Sequence, residues 1–140
     1  MVLIWVALIF SMTFQEGTDS AKLSLGYAEQ AHALLKQIGL TIEQDLVHTM
    51  IRKGAHITVY FFLGMWLVNA LLMHPLRPKN AIVIALVMAL SIASLDELIQ
   101  GLWVEGRHGA WLDVFYDMVG ASIGIVLMRE LQGLTQKTTR

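Results

Sequence analysis

Residues 52–73 read RKGAHITVYFFLGMWLVNALLM. The second part of this stretch, residues 57–73, is apolar and close to the roughly 20 residues a helix needs to cross a bilayer. The first part sets Arg52, Lys53 and His56 at the mouth of that span, with Tyr60 one turn further in. Ionisable groups are expensive at the edge of hydrocarbon, so by default they mark a site. Upstream, Thr41-Ile42-Glu43-Gln44 matches a capping box with Gln44 at the third helical position, which predicts an uninterrupted helix over residues 41–73. Downstream, Pro75 and Pro78, the only two prolines, fall in one short loop and stop it.

Two more apolar segments follow. Residues 81–95 predict a span that ends in Asp96-Glu97, with Gln100 one turn beyond Asp96. Residues 101–110 are rich in glycine and charge and predict a loop carrying Arg107. Residues 114–128 predict the last span, which opens with Asp113 and Asp117. The polar tail, residues 129–140, is expected to fray. At the other end, residues 1–14 are apolar but for Ser11 and Thr13. They lack a charged leader and an A-x-A-like cleavage site, so they read as a retained first span, cut short or locally thinning the bilayer. Between them and Thr41, the residues Tyr27, Ala31, Leu34, Leu35 and Ile38 recur at helical spacing. That segment predicts an amphipathic helix, lying on the membrane surface or against the bundle, with Gly39 as its C-terminal cap. The expected fold is therefore an all-α, polytopic membrane bundle. It forms a single domain over residues 1–140, with four transmembrane helices plus one amphipathic helix in the first external loop.

Composition agrees with this class. Of 140 residues, 56% are hydrophobic and 15% charged, against about 25% charged in soluble domains. A net charge of -1 gives no footprint for nucleic acid. The absence of cysteine excludes disulfides, thiolate metal sites and cysteine nucleophiles.

Orientation follows from parity. The proline loop carries Arg77 and Lys79 without an acid, and the tail carries Arg129, Lys137 and Arg140. Four spans place both, and the N-terminus, on one side, which the positive-inside rule makes cytoplasmic. The three polar clusters then share the outer face. Arg52, His56 and Tyr60 lie on one helix face at four-residue spacing, as do Asp96 with Gln100 and Asp113 with Asp117. Gly120-Ala121-Ser122-Ile123-Gly124 is a small-xxx-small pattern that lets helices approach closely.

Two chemistries are open to this patch. In the bland one, Arg52 and Lys53 snorkel to the interface, His56 is a satisfied core residue, and Asp96, Glu97, Asp113 and Asp117 neutralise Arg52 and Arg107. In the functional one, Arg52, Lys53, Tyr60, Gln100, Arg107 and Asp117 bind a headgroup. There His56, Asp96, Glu97 and Asp113 are the candidates for acid/base work beside it. Guanidinium forks suit carboxylate and phosphate oxygens. No H-E-x-x-H or Cys/His metal spacing occurs, and Arg52, Lys53 and Arg107 would repel a cation, so neither a metal nor another cofactor is expected. His32, His48, His74 and His108 read as surface histidines.

The three motifs in order resemble the VanZ-like family of bacterial membrane proteins. The second-span motif is Arg52-Lys53-x-x-His56-x-x-x-Tyr60 followed by Gly64, and the third-span motif is Asp96-Glu97-x-x-Gln100. The fourth-span motif is Gly106-Arg107, then Asp113-Val114 and Asp117-x-x-Gly120. Phe10-Ser11 at the exit of the first span is also similar, whereas the segment before Trp5 is shorter than the family's usual one. The resemblance implies a four-helix protein of the bacterial cytoplasmic membrane with a cell-envelope role. The family's founding member is associated with low-level resistance to the glycopeptide teicoplanin. The implied partners are membrane lipids and a lipid-linked cell-wall precursor or glycopeptide. The alternative is a small intramembrane hydrolase or transferase acting on such a headgroup.

Overall fold

The computed structural model describes the backbone of residues 1–15, 17–105 and 109–138, and the side chains of these except at residues 17–21 and 135–138. Among the described residues five helices follow one another: α1 (Val2–Thr13), α2 (Gly17–Gln37), α3 (Gln44–Leu72), α4 (Pro78–Trp103) and α5 (Trp111–Thr138). No strand occurs among the described residues.

Among the described residues three helices, not four, are long and apolar enough to cross a membrane: Gln44–Leu72, Pro78–Trp103 and Trp111–Leu134. The expected first span is the 12-residue α1, about 18 Å long against a hydrocarbon core of about 30 Å. It is nonetheless part of the bundle. Ile9 is buried in the core, and Trp5 donates its indole N–H to the Val59 carbonyl of α3 at 2.9 Å.

The helix limits shift from their sequence expectations for local reasons. Thr41 does not cap α3; Glu43 does, in an extended conformation and without a side-chain bond, so Gln44 is the first helical residue. Pro78 occupies the first turn of α4, where its missing N–H is harmless. α4 then runs on past Asp96-Glu97 to Trp103, so these acids sit inside the helix and not at its end. α5 likewise continues to Thr138 where a frayed tail was expected. Gly39 does close α2. Its φ of +83°, with Leu40 N–H on Leu35 O (2.9 Å) and Gly39 N–H on Lys36 O (3.1 Å), is the Schellman arrangement.

α3 and α5 run parallel, with α4 antiparallel beside them. The seam between the parallel pair is backbone against backbone. A Cβ added at Gly64, Gly120 or Gly124 would collide with the carbonyl oxygen of Ala121, Ile57 or Phe61. α4 joins through a ridge of fully buried alanines, Ala81, Ala85, Ala89 and Ala93, whose four-residue period leads directly to Glu97. Outside, Val83, Val87, Leu95, Ile123 and Val126 are exposed, while Asp96, Glu97, Asp113 and Asp117 are buried. Apolar outside and polar inside is the distribution a bilayer solvent demands.

Candidate functional site

Each polar side chain is placed by helix period and register. Arg52, Lys53, His56 and Tyr60 descend one face of α3, while α5 presents Asp113 and Asp117. The parallel register carries the pairing down the seam, from Arg52 with Asp113 to His56 with Asp117. At the far end Gln132 Nε2 donates to Asn69 Oδ1 at 2.6 Å. α4 supplies Asp96, Glu97 and Gln100 from the third side.

The polar groups sort into three layers. At the rim, Asp113 accepts from Arg52 (3.0 Å) and Lys53 (3.5 Å), and the Lys53 ammonium lies 4.1 Å from the Tyr116 ring centroid. Asp113 is buried, whereas the Arg52 side chain is 56% exposed. Arg52 engages the carboxylate through Nη2, and its guanidinium carries further N–H donors beside that one.

One turn deeper, His56 Nδ1 lies 2.9 Å from Asp117 Oδ1. The side chain of Asp117 has no exposed surface. Glu97 approaches from α4, and its Oε2 accepts the Ala110 N–H at 2.8 Å. The loop reaches that position because Gly109 packs on the Glu97 carbonyl so closely that a Cβ there would clash. Glu97 Oε1 and Asp117 Oδ2 in this layer have no hydrogen-bond partner among the described residues.

The third layer centres on Asp96. Its Oδ1 is 2.5 Å from Thr13 Oγ1 and 2.9 Å from Gln100 Nε2, and its Oδ2 is 3.5 Å from the Tyr60 hydroxyl. These partners are all neutral. Thr13 Oγ1 also lies 2.9 Å from Ile9 O, so its single proton cannot serve both acceptors at once.

A cavity of about 310 Å³ opens beside this third layer, between α1, α2, α3 and α4. Ile9, Met12, Leu23, Ile51 and Val59 form much of its apolar wall. Thr13, His56, Tyr60, Asp96 and Gln100 line its polar part, and Arg52 also lines it.

The structure thus brings together nine of the ten residues picked from the sequence; the tenth, Arg107, lies outside the described residues. It also changes their partners. Arg52 and Lys53 both serve Asp113, and neither neutralises Asp96, Glu97 or Asp117. The loop glycine Gly109 serves the loop's own contact with α4. His74 is exposed as expected, whereas His48 is half-buried with Nε2 2.8 Å from Ser24 Oγ on α2; His108 lies outside the described residues. Thr13 was not anticipated. Its one signal was a hydroxyl interrupting an apolar run at the end of α1. Tyr116 and the alanine ridge were missed too, since only the packing gives them partners.

The fold and the site define a polytopic helical membrane protein with a buried polar cluster toward one end of its spans. The VanZ/LLP1 family model matches residues 1–132, and the chain belongs to that family. No curated protein and no solved structure matches the chain.

Proposed function

We propose that this protein binds an anionic envelope lipid or lipid-linked headgroup in the cavity between α1, α2, α3 and α4, and through it contributes to glycopeptide (teicoplanin-type) resistance. The observation that carries this reading is the lining of the cavity. Apolar walls from α1, α2 and α3 suit a hydrocarbon chain, and the polar part offers hydrogen-bonding groups on α1, α3 and α4. Arg52, with donors to spare, suits a phosphate. Arg107 is assigned to the same headgroup by its sequence motif alone.

The proposed setting is the bacterial cytoplasmic membrane with the cluster at the outer face. Parity over α3, α4 and α5 puts the Arg77/Lys79 loop and the basic tail together on the cytoplasmic side, independently of α1. A cytoplasmic N-terminus further requires α1 to complete a fourth crossing, which at about 18 Å calls for local thinning of the bilayer. α2 lies at the outer interface. Ala28 is buried against the bundle, while Leu23, Tyr27, Leu34 and Ile38 form an exposed apolar stripe at helical spacing.

The second reading, an intramembrane hydrolase or transferase, draws on one observation. His56 lines the cavity and is oriented by Asp117, the arrangement of an acid/base histidine with its carboxylate.

Native mass spectrometry of protein extracted in mild detergent tests the binding reading. The wild-type chain should retain an anionic lipid, Arg52→Ala should lose most of it, and Ala55→Trp, which plugs the cavity, should lose it while staying folded. Equal retention by wild type and Ala55→Trp would remove the cavity as the binding site. A bound lipid that is chemically altered by wild type but left intact by His56→Gln would establish the enzymatic reading instead.

A further inference from the structure

We propose that His56, Glu97 and Asp117 form a divalent-cation site inside the bundle. One ligand atom from each of the three residues can be chosen so that all lie within 4.8 Å of one another. They arrive from three different helices, α3, α4 and α5, so the site exists only in the assembled bundle. Facing carboxylates and a histidine on neighbouring helices are how bundle proteins hold metal ions.

The second observation is independent of proximity. Glu97 Oε1 and Asp117 Oδ2 are buried and have no hydrogen-bond partner among the described residues, in residues only 5% and 0% exposed. A buried polar atom without a partner is costly, and costlier when it carries charge. The other oxygen of each carboxylate is already engaged: Glu97 Oε2 accepts the Ala110 N–H, and Asp117 Oδ1 holds the His56 ring. Two free oxygens are therefore left in a layer whose only other ionisable group, among the described residues, is one imidazole. A cation satisfies both at once.

Repulsion by the neighbouring basic residues is the main objection, and the geometry answers it for Arg52 and Lys53. Both are drawn one turn outward to Asp113, and Asp113 offsets part of their field. Imidazole with two carboxylates is a borderline-hard donor set, which suits Zn²⁺ or Mn²⁺ better than a soft ion. Ligands at about 2.1 Å in tetrahedral geometry stand about 3.4 Å apart. Closing from the observed spread is a matter of about 1.4 Å at most, a shift that side-chain rotation can supply. Three protein ligands leave at least one position open on the ion. The inference concerns the cation alone and does not depend on the lipid reading.

The test uses the full chain in detergent, stripped with chelator and exchanged into metal-free buffer. Zn²⁺ or Mn²⁺ alone is then added, with bound metal counted after equilibrium dialysis and thermal unfolding recorded in parallel. About one ion per chain and a raised unfolding temperature are expected. Glu97→Gln and Asp117→Asn keep shape while removing an anionic ligand, and each should weaken binding at least about tenfold. Asp45→Asn, on the exposed first turn of α3, should bind as wild type does. Should the two amide variants fail to fold, the wild-type titration still decides. Substoichiometric metal with no change in unfolding temperature overturns the proposal, as does undiminished binding by a folded Glu97→Gln.

Discussion

The two sides of α3 are built on opposite terms. Toward α5, Gly64, Gly120 and Gly124 bring the backbones into contact, and side-chain pairs run along the parallel seam from Arg52–Asp113 and His56–Asp117 to Asn69–Gln132. Toward α1 and α2 the packing is looser. Contact there combines the apolar packing of Ile9, Trp5, Val6 and Ala28 with hydrogen bonds from Trp5 to Val59 O and between Ser24 and His48, and the cavity opens beside them. The lesson is one of division. A close, glycine-lined seam holds His56 against Asp117 in fixed geometry, and a less tightly packed side gives room for a guest. A pocket with rigid polar groups on one wall and yielding apolar groups on the other can discriminate a headgroup while tolerating varied chains.

The sharpest way to break this comparison is to give the seam a side chain. Gly124→Leu drives carbon into the Phe61 carbonyl, and neither helix can yield without losing the register of the whole pair. A loss of about 3 kcal/mol or more is expected in reversible denaturant unfolding in mixed micelles. Gly54→Ala, on the same helix α3 with nothing within 4 Å of the added carbon, is the contrast. It should be neutral or stabilising by up to about 1 kcal/mol, through helix propensity. If both glycines tolerate their substitutions equally, the seam is not the rigid half.

A middle-sized effect is expected where α1 meets the site. Thr13→Val keeps the shape but removes one of three donors to Asp96, in a buried setting. The cost should be about 1–2 kcal/mol, with lipid retention falling in the mass-spectrometric assay. A stable Thr13→Val protein with full retention would mean that α1 merely covers the site. The smallest effect belongs to α2. Ser24→Ala breaks its hydrogen bond to a half-buried histidine and should cost no more than about 1 kcal/mol. Faster proteolysis between α2 and α3, with no change at the seam, would locate the effect. Were Ser24→Ala to unfold the protein as thoroughly as Gly124→Leu, the two sides would be equally coupled.

Much of this architecture was legible in residue pattern. Apolar runs bounded by charge identified the last three spans, because a bilayer leaves backbone polar groups no partner except within the helix. Gly39 announced its own cap, since a left-handed backbone at a helix end favours glycine. Gly120-xxx-Gly124 announced a close approach, though not which helix would be approached. The polar candidates were also legible, because charge inside an apolar context is rare enough to stand out.

What the sequence could not determine was pairing. Arg52, Lys53 and four acids admit many partnerships, and composition is indifferent among them. The parallel register of α3 and α5, set by three glycines, fixes Asp113 on the basic pair and Asp117 on His56. That choice takes Arg52 and Lys53 away from Glu97 and Asp117 and leaves the two free oxygens on which the cation site rests. The sequence likewise showed that residues 1–14 are apolar, while only the fold gave α1 its role. Too short to match the full hydrocarbon thickness, it seats Thr13 on Asp96 and forms one wall of the cavity. Sequence determines what each segment is by its solvent preference. Which buried charges meet is decided by helix register, a property of two chain segments together and of neither alone.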